Sequence, residues 1–252
     1  MVLVQILLSV SYDGTNYAGW QRQSNALAVQ EVLEIALSKV YGVDIVVRAA
    51  SRTDAGVHAL GQKVCFSIEK PHIPLDKLPV VINSFLPSDI AVKSAEVVSD
   101  DFNPRFNALY KTYSYTIYNS KTPNPLYSRY STFIPQNLDF LAMQEAASAF
   151  IGKHDFAAFC AAHGSAKTSV REIYACSTKK KSNEIFTLLI TGNGFLYNMV
   201  RIITGTVLFS GLKKIAPLDI PLIIASKDRK KAGKTMPPQG LVLEHVEYWT
   251  KY

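Results

Sequence analysis

The chain has 252 residues, of which 48% are hydrophobic, and this composition excludes a disordered protein because it supplies enough apolar surface for a large core. Its 27 lysines and arginines exceed its 20 aspartates and glutamates, which gives a formal net charge of +7. An excess of this size favours a polyanionic partner, but it is also common in proteins that bind none.

The first part of the chain has the hydrophobic periodicity of a β-α-β-β-α-β order of elements. Alternation of apolar residues predicts strands, and apolar residues three and four positions apart predict helices. The second helix pattern follows a proline, which is typical of a helix start. In chain order the predicted elements are strand 4–10, helix 29–40, strand 43–49, strand 63–68, helix 75–85 and strand 90–98.

The second part repeats this order of elements without repeating the sequence. We therefore expect an α/β (α+β) fold of two ferredoxin-like βαββαβ subdomains, residues 1–104 and 105–252. Side by side, such units form a continuous, mainly antiparallel mixed sheet with a central cleft. The predicted elements are strand 109–118, helix 139–151, strands 170–177 and 185–191, helix 195–212 and strand 241–249.

Cellular location is indicated by the cysteines and the N-terminus. Cys65, Cys160 and Cys176 are odd in number and far apart, which favours reduced thiols over disulfides. The apolar run at the N-terminus ends within about ten residues and lacks a basic leader, so we expect neither a signal peptide nor a membrane span. These features predict a cytoplasmic protein with no membrane contact.

The segment 51–59, S-R-T-D-A-G-V-H-A, contains the strongest candidate for chemistry. Arg52 favours the ionised form of Asp54, and Gly56 permits a positive-φ turn that presents the carboxylate. An ordinary turn-capping role is the alternative for an isolated aspartate in such a sequence. His58 could carry a proton, although a structural hydrogen bond is the favoured role.

Other kinds of site lack their motifs. There is no G-x-G-x-x-G after a strand, no phosphate-binding loop, no zinc deaminase signature and no G-x-S-x-G. Cys160 and His163 have the spacing of a ligand pair, but no second pair follows. We therefore expect no metal site and no nucleotide cofactor.

The segment 12–21, Y-D-G-T-N-Y-A-G-W-Q, and the segment 51–59 resemble, in order and spacing, two signatures of the A-type tRNA pseudouridine synthases. The resemblance implies isomerisation of uridine to pseudouridine at positions 38, 39 and 40 of the tRNA anticodon stem-loop. It also implies that the enzyme is a homodimer and needs no cofactor. Further matching segments are 102–106, 111–115, 152–156, 197–201, 235–237 and 240–241.

The same resemblance implies the roles of individual residues. Asp54 is the essential carboxylate, acting either as nucleophile at the sugar or as the base that starts an elimination; both remain open. Tyr113 matches a tyrosine that lies against the target base, although strand tyrosines are more often core residues. Arg201 interrupts an apolar helix face and, with Arg52, is expected to flank Asp54. Arg105 matches an arginine associated with substrate RNA.

The other basic residues are weaker candidates for phosphate contact, because runs of charge usually form solvated surfaces. Two other functions remain open: an RNA-binding protein without catalysis, and an RNA N-glycosidase that uses Asp54 to release the base. The first is disfavoured because the aromatic strand motif of RNA-recognition modules is missing. The weaker basic candidates are Arg22, Lys111, residues 179–181 and residues 227–234.

Overall fold

The computed structural model describes residues 3–69, 71–162 and 166–249. Within these ranges it is a mixed α/β protein of ten strands and five α-helices, with mostly antiparallel strand pairs. The predicted α/β fold class and the mainly antiparallel pairing of its strands are confirmed. The chain forms two compact units: the first runs to Leu109 and takes up the chain again from Leu243, and the second is Tyr110–Val242.

The compact units differ from the expected subdomains 1–104 and 105–252 mainly in the last strand, which groups with the first unit. The functional subdivision of the chain stays a prediction. The helices and strands, in chain order, are β1 Val4–Tyr12, α1 Val29–Tyr41, β2 Arg48–Ala49, β3 His58–Ile68, α2 Leu78–Asn83, β4 Ile90–Val98, β5 Ala108–Asn119, β6 Thr132–Ile134, α3 Phe140–Ser148, β7 Gly152–Asp155, β8 Val170–Lys180, β9 Ile185–Gly192, α4 Met199–Gly211, α5 Ile220–Ser226 and β10 Leu241–Tyr248.

The first unit is built on the strand order β4-β1-β3-β10, with β2 paired to β3. β1 is central, pairs antiparallel with both β3 and β4, and is buried along most of its length. The predicted strand 43–49 is wrong except for β2. The reason is that the amides of Ile45 and Val47 donate to Ser38 Oγ and Glu34 Oε1, both 3.0 Å away on α1, instead of to a neighbouring strand.

The second unit has the strand order β5-β9-β8-β7, and β6 pairs in parallel with β5. α4 is buried almost all round, and it tolerates polar residues because their hydroxyls bond within the helix. Thr204 and Thr206 donate to carbonyls four residues earlier at 2.8 and 2.9 Å. The predicted helix 195–212 begins only at Met199. The short strands β6 and β7 and the helix α5 were not predicted.

α4 also approaches a later segment so closely that only glycine fits. A Cβ on Gly205 would lie 1.9 Å from the carbonyl oxygen of Lys234, and one on Gly233 would lie 2.4 Å from the carbonyl carbon of Gly205. The Gly233 amide donates to Thr206 Oγ1 at 2.8 Å. This contact brings residues 233–236 onto α4. In the described ranges, no helix has both the length and the apolar character needed to cross a membrane.

We expect Gly205→Ala to destabilise the protein by about 2 kcal/mol, because forced overpacking outweighs the gain in helix propensity. Urea unfolding would measure the change. Gly211→Ala in the same helix is the matched control: its new methyl group meets the Met143 side chain, which can move, so the loss should be smaller. Equal losses for the two variants would contradict the backbone contact.

Candidate active site

Asp54 begins a tight turn in the loop between β2 and β3. The Val57 amide donates to the Asp54 carbonyl at 3.1 Å, and Gly56 has φ 76°. The predicted positive-φ turn is confirmed. β3 starts at His58, earlier than the predicted strand 63–68. Because β2 pairs antiparallel with β3, both ends of the loop are held by the sheet, and the half-buried Asp54 lies on a fixed turn.

Residues 12–20, which we call the signature segment, pack directly on this loop. Gly14 and Gly19 make the approach possible. A Cβ on Gly14 would lie 2.1 Å from the Val57 carbonyl oxygen, and one on Gly19 would lie 2.6 Å from that of Thr53. Gly19 also has φ 97°, which strains any other residue. The two segments that carry the family resemblance therefore form one local structure.

Hydrogen bonds join the signature segment to both sides of the turn. The Trp20 amide donates to the Thr53 carbonyl at 3.1 Å, and the Gly56 amide donates to the Tyr17 carbonyl at 3.3 Å. The hydroxyls of Tyr12 and Thr53 share a buried hydrogen bond of 2.8 Å. Backbone and side-chain bonds thus fix the residues immediately before and after Asp54.

Two buried polar side chains complete this support. Gln62 is fully buried; its Nε2 donates to the Ser51 carbonyl at 2.7 Å, and its Oε1 accepts from the Ser51 amide at 3.2 Å. His58 Nδ1 lies 3.0 Å from both the Gly14 amide and Asp13 Oδ1. Since the amide is always a donor, Nδ1 accepts from Gly14 in the neutral ring, and an ion pair with Asp13 requires a protonated ring. His58 therefore has a structural position.

Asp89 anchors the signature segment at its other side. The Tyr17 hydroxyl donates to Asp89 Oδ1 at 2.6 Å, and the Asp13 amide donates to the Asp89 carbonyl at 2.9 Å. Burial, reinforced by the Asp89 carboxylate, raises the pKa of Tyr17 far above its ordinary value. The hydroxyl consequently stays protonated at neutral pH and remains a donor.

Arg52 is exposed, although we expected it to flank Asp54. Within the part of the chain that the structure describes, its guanidinium makes no ion pair with Asp54. Residues 51–54 have no regular secondary structure, so the rule that residues two apart on a strand share one face does not apply to these two side chains. Arg52 is therefore available to solvent or to a ligand, and its part in binding substrate stays a prediction.

In the second unit, Arg201 is held by the backbone of a distant segment. Its Nε donates to the Met236 carbonyl at 2.7 Å, and its own carbonyl accepts from the Met236 amide at 3.2 Å. Nη1 donates to Asn198 Oδ1, also at 2.7 Å. Asn198 has φ 60°, a left-handed conformation, and helix α4 begins at the next residue. Sequence reasoning did not single out Asn198, although it lies in the matching segment 197–201.

Tyr113 is nearly buried, with 5% of its surface exposed, and meets the edge of the Phe195 ring at a centroid distance of 5.2 Å. It thus combines the core position of a strand tyrosine with an aromatic neighbour that precedes α4. Tyr115 is a different case. Its hydroxyl bonds to Thr132 and to the Pro237 carbonyl, and burial raises its pKa although the Arg201 charge opposes this.

The basic candidates separate into paired and available residues. Arg22 Nη2 lies 2.6 Å from the buried carboxylate of Glu34, and Lys111 is itself buried. Lys227 pairs with Asp155 at 2.7 Å. These residues are therefore poorly placed for phosphate. The candidates that are exposed and have no ion pair with a described residue are Arg105, Lys179, Lys180, Lys181, Lys230, Lys231 and Lys234.

Metal binding was considered for Cys160 and His163, but His163 lies outside the described residues. Among the residues that are described, no three or more His, Cys, Asp or Glu side chains are grouped to hold a metal ion. The chemistry available at the Asp54 turn is that of a carboxylate in a rigid loop, which suits a nucleophile or a general base.

Comparison with known proteins defines the class of enzyme. A family model described as tRNA pseudouridine synthase matches residues 8–107 and 146–249, which include the signature segment, the Asp54 turn, Tyr17 and Arg201. The chain belongs to the tRNA pseudouridine synthase family. It is therefore an isomerase that converts uridine to pseudouridine in tRNA.

The chain is similar over nearly its whole length to proteins named tRNA pseudouridine synthase A. The protein from Caldicellulosiruptor saccharolyticus is 49% identical over 243 residues, 96% of this chain and 99% of that protein. The one from Ruminiclostridium cellulolyticum is 47% identical over 244 residues, 97% and 99% of the two chains. The resemblance to the A type is thus confirmed.

We expect Asn198→Gly to keep or slightly raise stability, because glycine relieves the left-handed strain, but to lower the isomerisation rate roughly tenfold, the value of one hydrogen bond to a charged group. Single-turnover kinetics and thermal unfolding would measure the two effects. Lys213→Gly is the matched control, since Lys213 has φ 58° and should show only the stability gain. An unchanged rate in Asn198→Gly would mean that the orientation of Arg201 does not matter.

Proposed function

We propose that Asp54 is the essential carboxylate of the isomerisation and that the substrate uridines are those at positions 38, 39 and 40 of the tRNA anticodon stem-loop. The observation that carries the first part is the support of the Asp54 turn by the signature segment. A turn-capping aspartate needs no second segment packed on its backbone, whereas a reacting group must be held in place. The resemblance to the A-type enzymes supports the choice of uridines.

The reaction breaks the bond between N1 of uracil and C1′ of ribose, rotates the base, and joins C5 to C1′. The C5 proton leaves and N1 gains a proton, so no atom is added or lost and no redox partner is required. Asp54 as an anion would attack C1′ or remove a proton from the sugar; either role fits a carboxylate. The uridine must first leave the helical stack, which costs a few kcal/mol.

Contacts of four other residues with the RNA would offset the free-energy cost of unstacking the uridine. We propose that the Tyr113 ring lies against the target base, where a phenol can both stack and exchange a proton. Arg201, fixed by the Met236 carbonyl, would supply positive charge near the reacting groups. Arg52 and Arg105, both exposed, would bind the surrounding RNA.

We further propose that the enzyme acts in the cytoplasm as a homodimer. The cysteines support the first point because all three are free thiols. Burial raises the pKa of Cys65 to about 12, which makes this thiol unreactive at neutral pH. The homodimer rests on the family resemblance alone.

We expect Asp54→Asn to reduce release of tritium from tRNA labelled at uracil C5 by at least about 1,000-fold, the scale of losses when a reacting group is removed. Binding of tRNA should be largely kept. Asp44→Asn, at an exposed aspartate, should behave as the unmodified protein. Normal release by Asp54→Asn would refute the assignment, and free uracil as product would indicate an N-glycosidase instead.

The choice of uridines is tested by mapping carbodiimide adducts on tRNA after reaction. We expect pseudouridine at positions 38, 39 and 40, according to which of them hold uridine in a given tRNA. A tRNA with cytidine at all three positions should release no tritium, while it should still bind. Modification elsewhere in that tRNA would reject the anticodon stem-loop as the target.

A further inference from the structure

The turn 102–107, in the first unit, presents an arginine and an aromatic ring together to solvent. Phe106 is 78% exposed, the highest value for any phenylalanine among the described residues, and Arg105 beside it is exposed as well. The Arg105 Cζ atom lies 5.6 Å from the centroid of the Phe106 ring, within the range of a cation–π contact. One face of the ring thus carries the guanidinium.

Two asparagines hold this pair in place. Asn103 Oδ1 accepts from the Arg105 amide at 3.0 Å and from the Phe106 amide at 3.3 Å. The Asn103 amide donates to Asn107 Oδ1 at 2.6 Å, and the Asn107 amide donates back to the Asn103 carbonyl at 2.9 Å. The backbone under the exposed ring is therefore closed by hydrogen bonds on both sides.

The base of the turn is anchored in the core of the same unit. Phe102 is buried, its ring lies 5.0 Å from that of Tyr248, and its carbonyl accepts from Gln5 Nε2 at 2.5 Å. The Tyr248 hydroxyl donates to the Pro104 carbonyl at 2.7 Å. The turn that carries Phe106 is fixed at both its tip and its base. The structured loop therefore keeps the Phe106 ring exposed to solvent.

A single exposed apolar side chain is ordinary on a protein surface. Phe106 differs because a cation lies against its ring and because its loop is rigid, so little conformational freedom is lost when a ligand binds. A flat ring paired with a guanidinium has the chemistry of sites that stack nucleobases and neutralise the adjoining phosphate. The net charge of +7 favours a polyanion over an apolar partner.

We propose that Phe106 is a base-stacking residue, which binds an unpaired nucleobase of the tRNA other than the reacting uracil, while Arg105 contacts a neighbouring phosphate. This inference rests on tRNA as the substrate and deepens the proposed function. The reacting uracil is an unsuitable occupant because isomerisation needs shelter from water, and Phe106 lies open to solvent. Extruding one uridine unstacks its neighbours, which creates free base faces for such a ring.

The test measures dissociation constants for tRNA by filter binding. Phe106→Ala should weaken binding roughly tenfold, as expected for loss of one stacked base. Phe106→Tyr should stay within about twofold because it keeps the π face, whereas Phe106→Leu should resemble Phe106→Ala although it is apolar. Leu218→Ala is the matched control: Leu218 is 88% exposed and should show no effect.

Salt dependence separates the two members of the pair. Arg105→Ala should reduce the slope of log K against log salt by about 0.7 to 0.9, the value of one phosphate contact, while Phe106→Ala should leave the slope unchanged. Binding by Phe106→Ala equal to that of the unmodified protein would overturn the proposal. So would equal binding by Phe106→Leu, because stacking would then not be the source of the affinity.

Sedimentation of the variants tests the remaining alternative, in which Phe106 contacts a second copy of the chain. If Phe106→Ala converts a dimer to a monomer, the residue is a subunit contact and the proposal is rejected. Failure of the proposed function gives a different result: Asp54→Asn would release tritium normally, or pseudouridine would form outside positions 38, 39 and 40, while the effect of Phe106 on binding would still be measured.

Discussion

The backbone contact between the signature segment and the Asp54 turn is the constraint on which the rest of the site depends. Gly14 and Gly19 let the two chains approach to distances that no Cβ could share. Once they are this close, the amides of Trp20 and Gly56 find carbonyl partners across the gap. A carboxylate is thus positioned by main-chain atoms, which have few alternative conformations, instead of by flexible side chains.

The same device recurs in the second unit. Gly205 and Gly233 allow residues 233–236 to lie against α4, and this places the Met236 backbone beside Arg201. The guanidinium is oriented by a backbone carbonyl oxygen, while the Met236 side chain itself is fully buried. Both units therefore position a charged group through close backbone packing.

Charge on this protein serves structure as well as RNA binding. Arg22 neutralises the buried Glu34, whose other oxygen accepts from the Val47 amide and so keeps that stretch out of the sheet. Lys227 is paired with Asp155. This pairing, together with a hydrogen bond from Ser169, holds the pKa of the Asp155 carboxyl below its usual range. Net charge consequently overstates the number of residues ready to meet phosphate, and exposed Arg52 and Arg105 are better candidates.

Local patterns by themselves determined the fold class and most element positions, whereas the importance of the 12–21 and 51–59 segments came from their resemblance to a known family. Strand 90–98 was predicted at its observed bounds because alternation within one strand is a local property. Contacts between distant residues decided the rest: residues 43–47 bond to α1, α4 starts late at the left-handed Asn198, and Gln62 supports Ser51. Periodicity in the sequence shows which face of a helix or strand is apolar. The hydrogen-bond partner of a polar group depends on which distant residues the folded chain places beside it.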